Sequence, residues 1–334
     1  MADFDVIICT YNRPKRAQSL ISQVLECTPA PEKIVVVDST EEQDPSEYAR
    51  LGPGVTYLKS SHKNQPYQRF LGFQNTVSDV LVFLDDDVKI LDQKIFQYML
   101  SAFSQEDVKG ACIRVRYENV MHDLLEKKEV KQGRLLDFIN KISGVPSPAV
   151  GKLGLVGVPG PLPDSDGEVE FFQGTNMAFK REAVEKAFDS RVFSQYEYRI
   201  GKGEDKILSF KVASLGKLMF LDREVLHHPP VETSYFDHSY AYYKRLAYSR
   251  YFLTRIWCEE RSFPLWLGVL HYYYFMAWRL LIAIGTYVKG RSSGQKEAVK
   301  GMWKGVKMAF SGHKAYRSCS LDWKEEVRKD CESR

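Results

Sequence analysis

The stretch VLVFLDDDVKI, residues 80–90, runs five apolar residues into three aspartates before an apolar alternation resumes. A short apolar run bounded by polar residues is the pattern of a strand buried on both faces, as in a parallel sheet. Three like charges at the tip of such a strand repel one another unless a cation shares the position. A single aspartate there would only cap the next helix. Several hard carboxylate oxygens at one point suit Mg2+ or Mn2+, which in turn bridges a diphosphate.

Working outward, DVIIC (5–9) reads as another buried strand, followed by TYNRPKR and an amphipathic helix from about Ala17 to Glu26. Pro29 and Pro31 end that helix, and KIVVVDST (33–40) is a strand closing on Asp38. Strand, helix and strand in this order make a βαβ unit and hence a parallel sheet. VTYLKS (55–60) adds a third strand, and PYQRFLGFQNTVS (66–78) a helix leading into the aspartate-tipped fourth. Ligands of open parallel sheets bind outside the carboxyl ends of the strands, where Asp38 and Asp85–Asp87 both fall. A nucleotide site is therefore expected. Further on, a helix is expected over 92–104 and a strand at GACIRVRYE (110–118). Residues 120–168, rich in Gly and Pro after Gly144, read as a long surface excursion near the substrate. EFFQGTNMAFKREAVEKA then reads as strand, turn and helix, Glu204 and Asp205 open another helix, and KLMFLDREVLHHPP closes the sheet.

The 334 residues allow one large domain with an appendage, or two domains. Composition is that of a globular protein, 44% hydrophobic and 27% charged. The net charge of +4 is uneven: residues 240–334 hold 18 Lys/Arg against 8 Asp/Glu, +10, which leaves −6 on residues 1–239. A basic aromatic tail on an acidic body points to an anionic membrane surface, or to no more than a solvated helical face. The most apolar stretch, PLWLGVLHYYYFMAWRLLIAIGTYV (264–288), is long enough to span a bilayer, but His271, Arg279 and a mid-segment aromatic cluster favour interfacial docking. A true span, or a helical core or homo-oligomer contact, are the alternatives. No nucleic-acid recognition motif is present, so no such partner is expected. Six scattered cysteines without C-x-x-C spacing read as thiols of a reducing compartment. MADFDVIICT lacks the features of a signal peptide, so a cytoplasmic location at the inner face of the membrane is expected.

The ordered set VIICTYNRP (6–14), IVVVDST (34–40), LVFLDDDV (81–88), FFQGTNMAFKREAV (171–184), GKGEDKILSFKVASLG (201–216) and LHHPP (226–230) resembles the family 2 glycosyltransferases with the GT-A fold, over roughly residues 4–235. The resemblance implies a Rossmann-like, mostly parallel α/β sheet over 1–235 and a C-terminal α-helical extension over 236–334. It implies donor contacts from Thr10, Tyr11 and Arg13, a hydrogen bond from a pyrimidine base to Asp38, and Arg69 near the nucleotide. Asn64 falls in the same segment, where Pro66 and Phe70 depart from the family pattern. Asp85 is matched to the ribose, with Asp86 beside it, and Asp87 to a Mn2+ or Mg2+ ion. Of His227 and His228, the second, directly before the proline turn, is the expected further ligand. Asp205 is the expected catalytic base, with Glu204 second, although acidic residues also favour helix N-termini through the macrodipole. Gly174 and Asn176 are assigned to the acceptor side.

The expected activity is inverting transfer from a nucleotide-sugar, UDP-linked first, to a saccharide or lipid-linked saccharide acceptor by single displacement. An inactive nucleotide-sugar-binding scaffold and a sugar nucleotidyltransferase are the rivals. The second lacks the Gly-rich N-terminal loop it would need.

Overall fold

The structure, a computed structural model, describes residues 3–117, 148–229, 239–312 and 322–332. Strand β1 (Phe4–Thr10) is buried along its whole length. It runs parallel to β2 (Lys33–Asp38) on one side and β4 (Val80–Asp85) on the other, with β3 (Val55–Lys59) parallel beyond β2. Register sets Thr10 opposite Asp38 and Cys9 opposite Asp85, so these carboxyl ends finish level and carry their polar residues to one rim. Beyond β4 come β5 (Lys89–Ile90), β6 (Val108–Tyr117), β7 (Gly167–Val169), β8 (Asn176–Lys180) and β9 (Lys217–His228). The order is β3-β2-β1-β4-β8-β6-β9-β5, with β7 also on β9.

The sheet is the expected Rossmann-like one, parallel from β3 to β4, but mixed beyond. Strand β8 is antiparallel to both β4 and β6, and β9, expected to close the sheet, lies inside it. The strand expected at EFFQ does not form; the strand follows the turn at Gly174 instead. Phe172 is buried, but its amide donates to Ser209 Oγ at 2.9 Å rather than to a neighbouring strand.

Helices α1 (Pro14–Leu25), with Ala17, Leu20, Ile21 and Val24 inward, and α4 (Ile95–Ser101) cover one sheet face. The other face takes α3 (Gln65–Gln74), α5 (Arg181–Ala187) and α7 (Glu204–Ala213). Helix α2 (Ser46–Ala49) is a single turn, and α6 (Ser190–Glu197) precedes α7. Asn64 is the N-cap of α3: its Oδ1 accepts from Tyr67 N at 3.3 Å and its amide donates to Phe193 O at 2.8 Å. Both ends of the side chain are thereby occupied in capping α3 and tying it to α6. Helix α3 lies against the sheet because Gly72 has no Cβ; one built there would meet Ile7 Cγ2 at 2.5 Å.

Helices α8 (Ser239–Glu260), α9 (Leu265–Gly290) and α10 (Ser293–Phe310) share a core that includes Tyr248, Tyr272, Phe275 and Met302. The expected excursion is only partly described, since 118–147 lie outside the described residues. Its described remainder is only partly on the surface: Val150 and residues 164–166 are exposed, but Leu153 and Val156 are buried, and Trp257 Nε1 and Arg250 Nη1 of α8 donate to their carbonyls at 2.9 and 3.1 Å. Two apolar side chains there have more to gain by packing than by exposure. The expected boundary at 235/236 lies outside the described residues. Helix α11 (Trp323–Glu332) returns to the body: Trp323 packs on His62, Tyr67 and Phe193, and Asp330 accepts from Ser61 N at 3.1 Å and Tyr67 OH at 3.0 Å. Among the described residues, α9 alone is long and apolar enough to cross a membrane, by length and composition.

Candidate functional site

At the tip of β4 each aspartate has its own partners. Asp85 Oδ1 accepts from Arg69 Nη2 at 3.1 Å and from Gln65 Nε2 at 3.0 Å. Burial pushes its carboxyl up to about 7, although Arg69 pulls the other way. Asp86 accepts from Thr10 Oγ1 at 2.6 Å and Arg13 Nη1 at 3.1 Å, and burial raises it against both. Asp87 Oδ2 takes a second bond from Arg13 Nη1 at 2.8 Å, while its Oδ1 lies 3.3 Å from His228 Nε2. Burial opposes the charge on Asp87, but His228 and Arg13 outweigh it and hold the carboxyl below its ordinary value. His228 is raised in turn, chiefly by the Asp87 carboxylate. The repulsion posed by three adjacent aspartates is thus offset within the chain by two arginines, a histidine and a threonine.

The set also fits a divalent cation. His228 Nδ1 faces Pro229 O at 2.9 Å, which favours a proton there and leaves Nε2 to ligate. Adjacent ligands of an octahedral ion with bonds of about 2.1 Å stand about 3.0 Å apart. The 3.3 Å between Asp87 Oδ1 and His228 Nε2 is close to that spacing. Among the described residues no group of three His, Cys, Asp or Glu forms a ready cage. Two protein ligands would leave the other positions to phosphate oxygens and water, which suits ions of the Mg2+ type. Period-2 alternation along β9 turns His227 to the other face.

A cavity of about 470 Å³ opens beside the aspartates, lined among others by Thr10, Tyr11, Arg13, Ser39, Lys63 and Gln68. Asn12 turns the loop with φ 55°, a conformation asparagine tolerates, and its N–H donates to Thr40 Oγ1 at 2.7 Å. Lys63 Nζ donates to Tyr11 OH at 3.0 Å, holding an otherwise exposed ring. Gln68 ties the ends of β1 and β2 together through Thr10 O and Val37 O at 3.0 and 2.9 Å. Asp38 is fully buried behind this wall, with Oδ1 accepting from Thr40 N at 2.7 Å. Its Oδ2, and the hydroxyl of Ser39 beside it, have no hydrogen-bond partner among the described residues. Ser39 lines the cavity, so its unsatisfied hydroxyl fits a ligand that brings hydrogen-bonding groups, whereas the Asp38 carboxylate lies outside the lining.

A second cavity, of about 940 Å³, is lined by Tyr117, Gly174, Tyr196, Glu204 and Asp205 from the body and by Tyr242 and Arg245 from α8. The two cavities meet at Gln65, Asp85 and Tyr196, which line both. Arg69, 3% exposed, joins the halves: Nη1 bonds Glu204 Oε1 at 3.2 Å, and Nη2 bonds Asp85 Oδ1 at 3.1 Å and Gly174 O at 3.2 Å. Tyr196 OH donates to the other oxygen of Glu204, so both oxygens of this carboxylate are engaged. Asp205 Oδ2 accepts from Gly174 N at 2.9 Å. A Cβ on Gly174 would stand 3.1 Å from Asp205 Cβ and 3.3 Å from Arg69 Nη2, so a side chain there would make these neighbours give by a few tenths of an ångström. Asn176, expected on the acceptor side, instead binds N and O of Ile113 at 2.8 and 2.9 Å and fastens β8 to β6. Sequence reasoning missed Gln65, Gln68, Lys63 and Tyr196. The first three lie in the segment flagged around Asn64 and Arg69, while nothing in the sequence marks Tyr196.

The model of the glycosyl transferase family 2 matches residues 5–188. Among curated proteins, a 4,4'-diaponeurosporenoate glycosyltransferase of Staphylococcus haemolyticus (strain JCSC1435) is 26% identical over 110 residues, 31% of this chain and 29% of that protein. The chain therefore matches less than a third of that relative's length. Among solved structures, the mannosyltransferase PcManGT from Pyrobaculum calidifontis in complex with GDP-Man and Mn2+ is 14% identical, with a TM-score of 0.47 over 94% of this chain and 90% of that one. TarS 1-349 of S. aureus is likewise 14% identical, with a TM-score of 0.47 over 96% and 95% of the two chains. With that family model covering more than half of its length, the chain belongs to glycosyl transferase family 2.

Proposed function

We propose that the chain transfers a sugar, with inversion, from a nucleoside-diphosphate donor to a hydroxyl of a saccharide or lipid-linked saccharide. Mn2+ or Mg2+ would be held at Asp87 and His228. The observation that carries this reading is the meeting of two cavities at Asp85. One is bordered by the Arg13, Asp86, Asp87 and His228 cluster, and the other by Asp205. The first accommodates the nucleoside against Thr10, Tyr11 and Ser39, with Asp38 behind them. UDP is the first choice because the family resemblance matches Asp38 to a pyrimidine contact. A divalent cation bound there would neutralise charge on the leaving diphosphate. Arg69 orients Asp85 and Glu204 across the junction. Asp205 takes the proton of the acceptor hydroxyl as that oxygen bonds the anomeric carbon and the bond to the diphosphate oxygen breaks. Positioning supplies much of the remainder.

The test is calorimetric titration of nucleoside diphosphates, with and without Mn2+, on wild type and Asp87→Ala. Losing even an outer partner of a metal ligand costs about 10–100-fold in metal affinity, so loss of the ligand should weaken metal-dependent nucleotide binding by at least that much. Folded wild type that binds no nucleoside diphosphate would end this reading.

We further place the helical extension on an anionic membrane surface, at the cytoplasmic face. Trp266, Leu270, Tyr274, Leu281, Ile284 and Val288 are exposed at spacings of one helical stripe along α9, and α10 exposes Trp303 and Phe310 together with Lys296, Lys304 and Lys307. Co-flotation with phosphatidylglycerol vesicles and not with phosphatidylcholine vesicles is expected. Equal recovery with both would argue for another partner of this face.

A further inference from the structure

The larger cavity has a wall that the transfer step leaves unused. Lys202, Lys206 and Arg245 line it, all half-buried, beside Tyr242. Lys202 Nζ lies 4.7 Å from the centre of the Tyr242 ring, and Arg245 spends only its Nε, on Arg199 O at 3.1 Å. Among the described residues none of the three forms an ion pair with a carboxylate. The nearby carboxylates are committed elsewhere, Glu204 to Arg69 and Tyr196 and Asp205 to the Gly174 amide. Arg191, by contrast, is paired with Asp189 and Glu259, and Lys211 with Asp189, while among the described residues Arg250 and Arg181 stand singly and bond carbonyl and hydroxyl oxygens. Burial, with Lys206 and Arg245 adding to it, lowers Lys202 below the ordinary lysine range even though Asp205 and Glu204 pull it up. Gathering three cations in a partly desolvated wall is unfavourable until an anion joins them. Helix α7 also starts at this cavity, at Gly203, with no side-chain cap on its first N–H groups.

Resting on the transfer reading above, we infer that this wall binds a phosphate group carried by the acceptor and so presents the acceptor hydroxyl to Asp205. A phosphate monoester brings a charge of about −1.5 to −2 and three strong acceptor oxygens, which matches a guanidinium fork and two ammonium groups better than a single carboxylate does. The phosphate has two sources, a phosphorylated soluble saccharide or the headgroup of a lipid carrier.

The experiment titrates inorganic phosphate, without metal, into wild type, Lys202→Gln/Lys206→Gln/Arg245→Gln and Arg13→Gln. The triple variant should bind phosphate at least about tenfold more weakly, a loss of about 1.4 kcal/mol, with Arg13→Gln close to wild type. Unchanged affinity in the triple variant, or an equal loss in Arg13→Gln, overturns the inference. Nucleoside diphosphate with Mn2+ is titrated into the same samples. Retained binding shows that the triple variant is folded, and absent binding in wild type defeats the donor reading while leaving the phosphate comparison legible. Dodecyl phosphate separates the sources: tighter binding than inorganic phosphate assigns the wall to a lipid headgroup, and equal binding assigns it to a soluble phosphorylated saccharide.

Discussion

Asp205→Asn is expected to lower turnover by about 10²–10⁴-fold, the usual contribution of a positioned general base, while leaving nucleoside-diphosphate affinity within about twofold. The substitution keeps the size of the side chain, and the amide oxygen can still accept from Gly174 N, which bonds Asp205 Oδ2 at 2.9 Å. What is lost is the ability to take a proton. Hydrolysis of a nucleotide-sugar without acceptor, where water stands in for the hydroxyl, gives the readout before the acceptor is known. Glu204→Gln serves as the contrast. Both oxygens of Glu204 are engaged, by Arg69 and Tyr196, so its removal acts through the position of Arg69. A larger rate loss in Glu204→Gln than in Asp205→Asn would move the base to Glu204. A loss confined to KM in both would mean that neither removes the proton.

Arg69→Met is expected to cost about 3–5 kcal/mol of folding stability, because it leaves two carboxylates in a buried site without their cation. Arg69 is 3% exposed and its partners Asp85 and Glu204 are 27% and 13% exposed, so water replaces little of what is removed. The sign of the pH dependence follows from Asp85. Burial already raises it to about 7 in the folded chain, above the ordinary unfolded value of about 3.9. The folded state therefore binds this proton more tightly, and the group's contribution to stability falls as pH rises through that interval. Without Arg69 the carboxyl is raised further. Urea unfolding should then show a larger deficit at pH 8 than at pH 5. An equal deficit at both would show that the arginine acts by filling space rather than by its charge.

The parallel half of the sheet and the rim it builds were legible because each strand is a local pattern, an apolar run stopping at Thr10, Asp38 or Asp85. That His228 stands by Asp87 was expected through the family resemblance, with the proline turn choosing it over His227. The direction of β8 was not. It is decided by the turn at Gly174 and by the Asn176 amide on Ile113, and in a sequence such an amide looks the same as one awaiting a ligand. Nor was the depth of Asp38, which depends on how α1, α2 and α3 close over the two faces of its strand. Tyr196, Tyr242 and Arg245 reach the larger cavity only because α6 and α8 pack beside it, and no spacing within their own segments encodes that.

Helix α11 places one late step in the life of the molecule. Asp330 holds Ser61 across 269 positions, and Trp323 covers Tyr67 and His62 at the start of the helix that carries Gln65 and Arg69. On a ribosome adding about 5–20 residues per second, that cover arrives roughly 13–50 s after the residues it protects. In the last part of that interval, once β9 has been made, a nascent chain has all its strands and an open aromatic seam, the kind of surface to which chaperones and like chains adhere. Synthesis, rather than the sheet itself, sets when the seam closes and the Gln65 and Arg69 side of the junction is held in place.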